Sequence, residues 1–452
     1  MTQAPATSEP VVEAYGNGAR TVAVRRPGSG LVCVMLAVAA GSATDPPDLP
    51  GCAHFAEHAF FAGGGRFPSA AVVADVIGGL GGVFDAVTHR DYSLFHVKAP
   101  ASTAGALLEL MGELRTHRVP GEAEMCRQHT AMRHEIQAAS QQPQRVLRDL
   151  ADLALYGDTP VGRSPLGDAA SLDRLTADHA AGFLRRASGP ERSALLVVGD
   201  IDPATVQPAA ERWLGHEPPN TESPWRRADG AVRAPTGLWR ATPGPTVTGC
   251  WAVPASGYLL SHRDMQCMRL FNTVLGGSAS SCISRALRDE LGLTYRTRSV
   301  LEPLADVGSL LVLFTGEPDG VAAIVATIRR TIAELLQDGP TGQEVGRARA
   351  LVKGVYPRER EDSTQHARIL ALELFRRNRF TSQDAEAELL DSLTSQDIIQ
   401  VAHQVLSPEA GRCVAVGPLP QAGPPLLDHA WNQPADANAT SEALAGRASM
   451  PA

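Results

Sequence analysis

The sequence predicts an α+β protein built from two copies of one unit, each an α/β sandwich with a mainly antiparallel sheet and packed helices. Two observations carry that expectation. Leu175-Thr176-Ala177-Asp178 opens a helical stretch leading into the apolar run ending at Gly199, and Leu393-Thr394-Ser395-Gln396-Asp397 opens another leading into the run ending at Gly417. The step from Leu175 to Leu393 equals the step from Gly199 to Gly417, and one shared offset is the signature of duplication. Length agrees, since 452 residues exceed what one ordinary core accommodates.

The elements follow in order. Short runs rich in β-branched and aliphatic residues read as strands at 22–24, 31–39, 92–97, 195–198, 247–252 and 310–314. Apolar residues recurring with helical period mark helices near 69–80, 104–117, 121–140, 172–186, 264–275, 280–291, 320–337, 341–355, 362–377 and 395–406. The first half spans residues 1–216 and the second 237–420. Residues 217–236, with Pro218, Pro219 and Pro224 among polar neighbours, read as a linker. Residues 421–452, rich in Pro, Ala, Asn and Ser, read as a disordered tail.

Composition removes several function classes. The formal net charge of −8 disfavours nucleic acid, whose binding needs a basic face to neutralise phosphates. The longest apolar run, Leu31 to Ala40, is too short to span a bilayer, so no membrane partner is expected. Seven cysteines, an odd number without a CxxC pair, argue for reduced thiols. The N-terminus has no basic segment followed by an apolar one, so the sequence suggests a cytoplasmic protein.

The chemistry-bearing segment is His54-Phe55-Ala56-Glu57-His58. On a helix, positions i and i+4 share a face, so both imidazoles can address one metal ion. Glu57 lies on the same side, where a carboxylate can take a proton from water. This is the HxxEH order, the inverse of HExxH. Pro46, Pro47, Pro50 and Gly51 precede the helix, and Gly63-Gly64-Gly65 ends it. A tetrahedral catalytic Zn2+ needs a third protein ligand. Glu135, in Met132-Arg133-His134-Glu135-Ile136, is the candidate, with His134 as its competitor.

The segment from Gly51 to Gly63 resembles the signature of the pitrilysin family of inverzincin peptidases, which includes insulysin and mitochondrial processing peptidase. The resemblance extends through Gly81-Gly82-Val83-Phe84-Asp85-Ala86-Val87-Thr88, the Glu135 helix, Leu275-Gly276-Gly277 and Arg288-Asp289-Glu290-Leu291-Gly292-Leu293-Thr294-Tyr295. It implies that His54, His58 and Glu135 bind zinc, that Glu57 is the general base, and that Arg288 and Tyr295 hold the substrate near the scissile bond. It also implies a closed chamber of four such units. A two-unit chain is then expected to pair as a homodimer, or as a heterodimer with a related chain, around a peptide substrate.

Several positions depart from the family pattern. Gln128 stands where many members carry glutamate, Asp85 where asparagine is common, and Ala59, Ala62 and Gly64 where residues are larger or polar. The second half carries no HxxEH, and Arg347 to Gly354 has no glutamate to match Glu135. The expected activity is a zinc endopeptidase acting on peptides or unfolded segments. The alternative is an inactive structural or docking homologue of the same fold. An intact Glu57 favours the first, because a scaffold has no use for a carboxylate beside the metal.

Overall fold

The computed structural model describes residues 9–116, 120–216, 218, 237–257 and 260–418. The linker expected at 217–236, apart from Pro218, and the tail expected at 421–452 lie outside the described residues.

The first half contributes strands β1 (Val11–Ala14), β2 (Arg20–Arg25), β3 (Leu31–Val38), β4 (Val83–Thr88), β5 (Ser93–Pro100) and β6 (Ser193–Gly199). Its helices are α1 (Cys52–Phe61), α2 (Ala70–Gly79), α3 (Ala104–Thr116), α4 (Glu122–Ser140), α5 (Pro143–Tyr156), α6 (Ala169–Leu172), α7 (Ala177–Ala187) and α8 (Pro203–Ala210). The second half contributes β7 (Gly237–Ala241), β8 (Val247–Ser256), β9 (Arg296–Pro303), β10 (Val307–Gly316) and β11 (Arg412–Gly417). Its helices are α9 (His262–Gly276), α10 (Cys282–Ser284), α11 (Val321–Asp338), α12 (Gly342–Glu361), α13 (Ser363–Arg377), α14 (Gln383–Ser392) and α15 (Ser395–Val405).

The duplication is visible strand by strand. The first sheet runs β1-β2-β6-β3-β5-β4 and the second β7-β11-β8-β10-β9. In each, one parallel pair, β2 with β6 or β7 with β11, adjoins a series of antiparallel pairs. The α+β class with mainly antiparallel sheets therefore holds. The repeat extends to capping. Thr176 caps α7 in a reciprocal box with His179, and Thr394 caps α15 in one with Asp397.

The chain divides into two compact units, each holding one sheet. Residues 139–162, which include α5, belong with the second sheet, and residues 356–382, which include α13, belong with the first. The halves read from the sequence thus exchange a helix. α5 lies against β8 and β11, and α13 against β3 and β6. The exchange explains why β3 is apolar along almost its whole length. Val32, Val34 and Leu36 face a core with Phe55, Leu107 and Leu184, while Cys33 and Met35 face one with Leu370 and Leu374. A strand covered on both faces loses the apolar–polar alternation. Burying Leu370 and Leu374 contributes about 1.5–3 kcal/mol each.

Three local expectations need correction. The single helix expected at 172–186 is two, broken at Asp173–Thr176 where Thr176 caps α7. The helix expected at 280–291 is the short α10 followed by a wide helical turn over Arg285–Glu290. Helix α5 was not anticipated, although Pro143 stands in its first turn and Val146, Leu147, Ala151, Ala154 and Leu155 form its buried face.

On α13, His366 is buried, and burial followed by the charges of Arg360 and Arg26 pushes its pKa from 6.5 down to about 4. Above pH 6.5 the imidazole is neutral in both states. Between pH 6.5 and 4 the unfolded chain takes up a proton that the folded chain refuses, so stability is lost as pH falls through that window. We expect the urea midpoint of His366→Gln to fall less between pH 7 and pH 5 than that of the parent. Identical slopes would remove His366 from the acid response.

Candidate metal centre

The site begins with how α1 is held. Gly51 enters the helix in the left-handed region, at φ 86°, and a Cβ there would come within 2.8 Å of Gly167 Cα. Gly51 has no side chain to cap the helix. Asp45 does so from upstream, accepting the Gly51 amide at Oδ2 and the Ala53 amide at Oδ1, both at 2.7 Å. Burial pushes the Asp45 carboxyl up to about 8, against the opposing pull of the Ala53, Gly51 and Cys52 amides. At the other end, Gly63, Gly64 and Gly65 all adopt positive φ and turn the chain away.

His54 and His58 project from one face of α1, with ring centroids 4.8 Å apart and planes at 81°. Glu135 reaches them from α4. Its Oε2 lies 3.4 Å from His54 Nε2 and 3.4 Å from His58 Nε2. The three ligand atoms all fall within 4.8 Å of one another, and theirs is the one such cluster among the described residues. A tetrahedral zinc with bonds of about 2.0–2.1 Å needs ligand separations of about 3.3–3.4 Å, and both Glu135–histidine separations meet that requirement. Glu135, not His134, is brought to the pair.

The charges follow from this geometry. Hydrogen bonds from His54 and then His58 hold the Glu135 carboxyl well below the usual carboxylate range. Burial works to lower the His58 pKa, but Glu135, Gln128 and Glu57 outweigh it and the net direction is up. Glu57 is partly buried one residue before His58, and burial raises its pKa against the opposing effects of His54, Thr88 and His58.

Three supporting residues were not legible as such. The Thr88 hydroxyl, at the end of β4, donates to Glu57 Oε2. Gln128 Oε1 lies 3.2 Å from His58 Nδ1, and Gln128 Nε2 donates at 2.8 Å to the buried Glu124. Gln128, noted in the sequence only as a departure, thus meets the ring nitrogen of His58 that points away from the cluster. The spacing Glu124-x-x-x-Gln128 on a helix was the available signal. For Asp45 the signal was a capping residue type shortly before a helix without a side-chain cap.

Arg288 and Tyr295 belong to the second unit, where they line one cavity of about 270 Å³ with Gly276 and Gly277. Tyr295 is 93% exposed, and Arg288 bonds Ala279 O and Asp289. The step that separates the two copies carries Glu135 onto Lys353, which is ion-paired at 2.6 Å with Asp391. A cation at the ligand position leaves the second copy without a metal site of this kind.

Two models of one family match successive parts of the chain. Residues 20–169 match the family described as Insulinase (Peptidase family M16), and residues 174–352 match the Peptidase M16 inactive domain. The chain belongs to peptidase family M16. Its relatives include the uncharacterized zinc protease YmxG of Bacillus subtilis, 25% identical over 75% of this chain and 81% of that protein. An uncharacterized zinc protease of Mycobacterium leprae is 24% identical, over 89% of this chain and 90% of its own length. The crystal structure of a peptidase M16 inactive domain from Pseudomonas fluorescens shares the fold at a TM-score of 0.81 and 18% identity, covering 91% of this chain and 99% of that one. A protease from Helicobacter pylori does so with the same TM-score and identity, over 91% of this chain and 100% of its own. Among the described residues, no helix of this M16 chain is long and apolar enough to cross a membrane.

Replacing Asp45 with alanine leaves two buried amides at the start of α1 without an acceptor. The expected loss is about 1–3 kcal/mol of stability, read from urea unfolding. A midpoint unchanged from the parent would show that α1 does not depend on this remote cap.

Proposed function

We propose that this M16 chain is a zinc-dependent endopeptidase that cleaves peptides or unfolded segments. One observation carries the reading. His54 Nε2, His58 Nε2 and Glu135 Oε2 converge at separations suited to zinc, with the Glu57 carboxylate on the same helical turn. The relatives named as zinc proteases support it.

When bound by those three atoms, zinc supplies a Lewis acid for the peptide carbonyl and lowers the pKa of water. Glu57 does the proton work. Its carboxylate accepts a proton from the attacking water and returns it to the departing amine. Burial suits it to this, because a base with a raised pKa is closer in strength to the groups it exchanges with at neutral pH. Thr88 orients the carboxylate from the edge strand. Gln128 orients His58, itself braced by Glu124. β4 is the outer strand of its sheet, and an extended peptide can add to such an edge by backbone hydrogen bonds. That mode accepts many sequences and excludes folded chains.

The description as an inactive domain applies to residues 174–352, a range that contains none of His54, Glu57, His58 and Glu135.

Purified protein is expected to carry about one zinc per chain by elemental analysis. Glu57→Gln should keep the metal and lose about 10²–10⁴-fold in cleavage rate. Glu135→Ala should lose the metal. Full zinc and full activity in Glu135→Ala would sink the ligand assignment.

We also propose that the chain works as a homodimer, with Arg288 and Tyr295 serving the metal site of the other protomer. The test is complementation between Glu57→Gln and a variant carrying Arg288→Ala and Tyr295→Phe. Each alone should be nearly inactive, and mixing should restore activity once subunits exchange. Exchange without recovery would mean that the pair does not act across protomers.

A further inference from the structure

The second unit holds a cavity of about 460 Å³ that has no part in the metal site. It lies between α5 and the outer strands of the second sheet. Register explains its make-up. On β9, Arg296 and Arg298 are two residues apart and share a face. Arg298 lies opposite Leu313, which lies opposite Cys250, so the floor behind the arginines is apolar. α5 closes the other side and contributes Arg145 and Arg148.

Among the described residues, four arginines line this cavity and no carboxylate does. The four are not equivalent. Arg148 is ion-paired with Asp152 at 3.2 Å and with Glu302, and Arg145 with Asp149 at 3.6 Å. Arg296 and Arg298 have no ion-pair partner among the described residues. Glu302, the carboxylate on their own strand face, is occupied by Arg148. The same two arginines line the neighbouring cavity of about 270 Å³ with Arg288 and Tyr295, and that cavity too has no carboxylate lining. The first turn of the 14-residue helix α5 adds its amide dipoles, with Gln142 and Gln144 at the rim. In a chain of net charge −8, Arg296 and Arg298 are thus two neighbouring cations left without an ion-pair partner among the described residues.

We propose that Arg296 and Arg298 form a carboxylate-recognition site that selects acidic peptides, an inference that rests on the peptidase reading. Guanidinium groups bind carboxylates through paired N–H···O bonds. The apolar patch of Cys250, Leu311 and Leu313 can take the methylene part of the side chain. Among the described residues β9 is the outer strand of its sheet, and an extended chain can add to such an edge. The carboxylate can belong to a Glu or Asp side chain or to the peptide C-terminus.

The test is binding and cleavage of four fluorescein-labelled decapeptides. They share one scaffold, carry three Glu or three Gln, and end in a free or an amidated terminus. Fluorescence anisotropy is read with the full-length protein and with Arg296→Gln/Arg298→Gln, and mass spectrometry monitors cutting. The parent should bind the Glu peptide about tenfold more tightly than the Gln peptide. The double variant should lose that preference and keep the Gln affinity. A preference that survives amidation assigns the carboxylate to the side chains, and one that follows the free terminus assigns it to the C-terminus. Equal binding of all four peptides, or a preference that persists in the variant, overturns the proposal. Selective binding without cleavage leaves this site standing and removes the peptidase reading, whereas cleavage without selectivity does the reverse.

Discussion

The convergence of two imidazoles and one carboxylate on a single point governs the first unit. Two imidazoles each 3.4 Å from one carboxylate oxygen are tolerated because the carboxylate is anionic and the histidines donate to it. The ligands come from α1 and α4, so the two helices must keep a fixed spacing. Much of the surrounding structure serves that end. Cys52, Ala53, Phe55, Ala56 and Ala59 bury α1 among aliphatic and aromatic neighbours, Asp45 secures its first turn, and three glycines release the chain at its end. Small residues at 53, 56 and 59 let α1 lie close to its neighbours, which a helix of large side chains on that face would not allow.

Duplication gave this protein two similar frames and divided the work between them. Both sheets keep the same strand order around one parallel pair, and both retain a threonine-capped helix packed on the helix after the hairpin strand, α7 on α1 and α15 on α9. The side chains diverged. Where the first copy places Glu135 the second places Lys353, already satisfied by Asp391. Where the first copy gathers His54, His58 and Glu135 the second has exposed arginines along its outer strand. The exchanged helices α5 and α13 make each unit depend on the other half of the sequence for the cover of one sheet face. A frame built this way cannot be cut at the linker into two independent halves without exposing an apolar sheet face on each.

The legible parts were those encoded by short-range spacing. HxxEH places its residues on one helical face whatever the tertiary context, and the helix starts at Thr176 and Thr394 announce themselves by capping chemistry. Glu135 stood out only through the family spacing, because its own neighbourhood is that of an exposed helix. The exchange of α5 and α13 was invisible because a buried helix face does not specify which sheet it will meet. Asp45, Thr88 and Gln128 belong to the same class. Each is an ordinary polar residue until folding brings it to α1, and only then does it acquire a partner that gives it a role.

Thr88 links the chemistry of the first unit to the geometry of its sheet. Along β4, Phe84 meets Phe61 in a tilted ring contact with centroids 4.7 Å apart, and Thr88, at the same parity, meets Glu57. Val83 and Val87 alternate to the exposed face. The strand is therefore anchored to α1 at two points, one apolar and one polar, and the second is the proposed base itself. A one-residue slip of β4 against β5 would turn Thr88 to the opposite face and leave Glu57 without its donor. In the proposed reaction, a peptide added to the free edge of β4 takes its register from the same strand that orients Glu57. Backbone hydrogen bonding can thus place a peptide bond relative to the base without reading side chains.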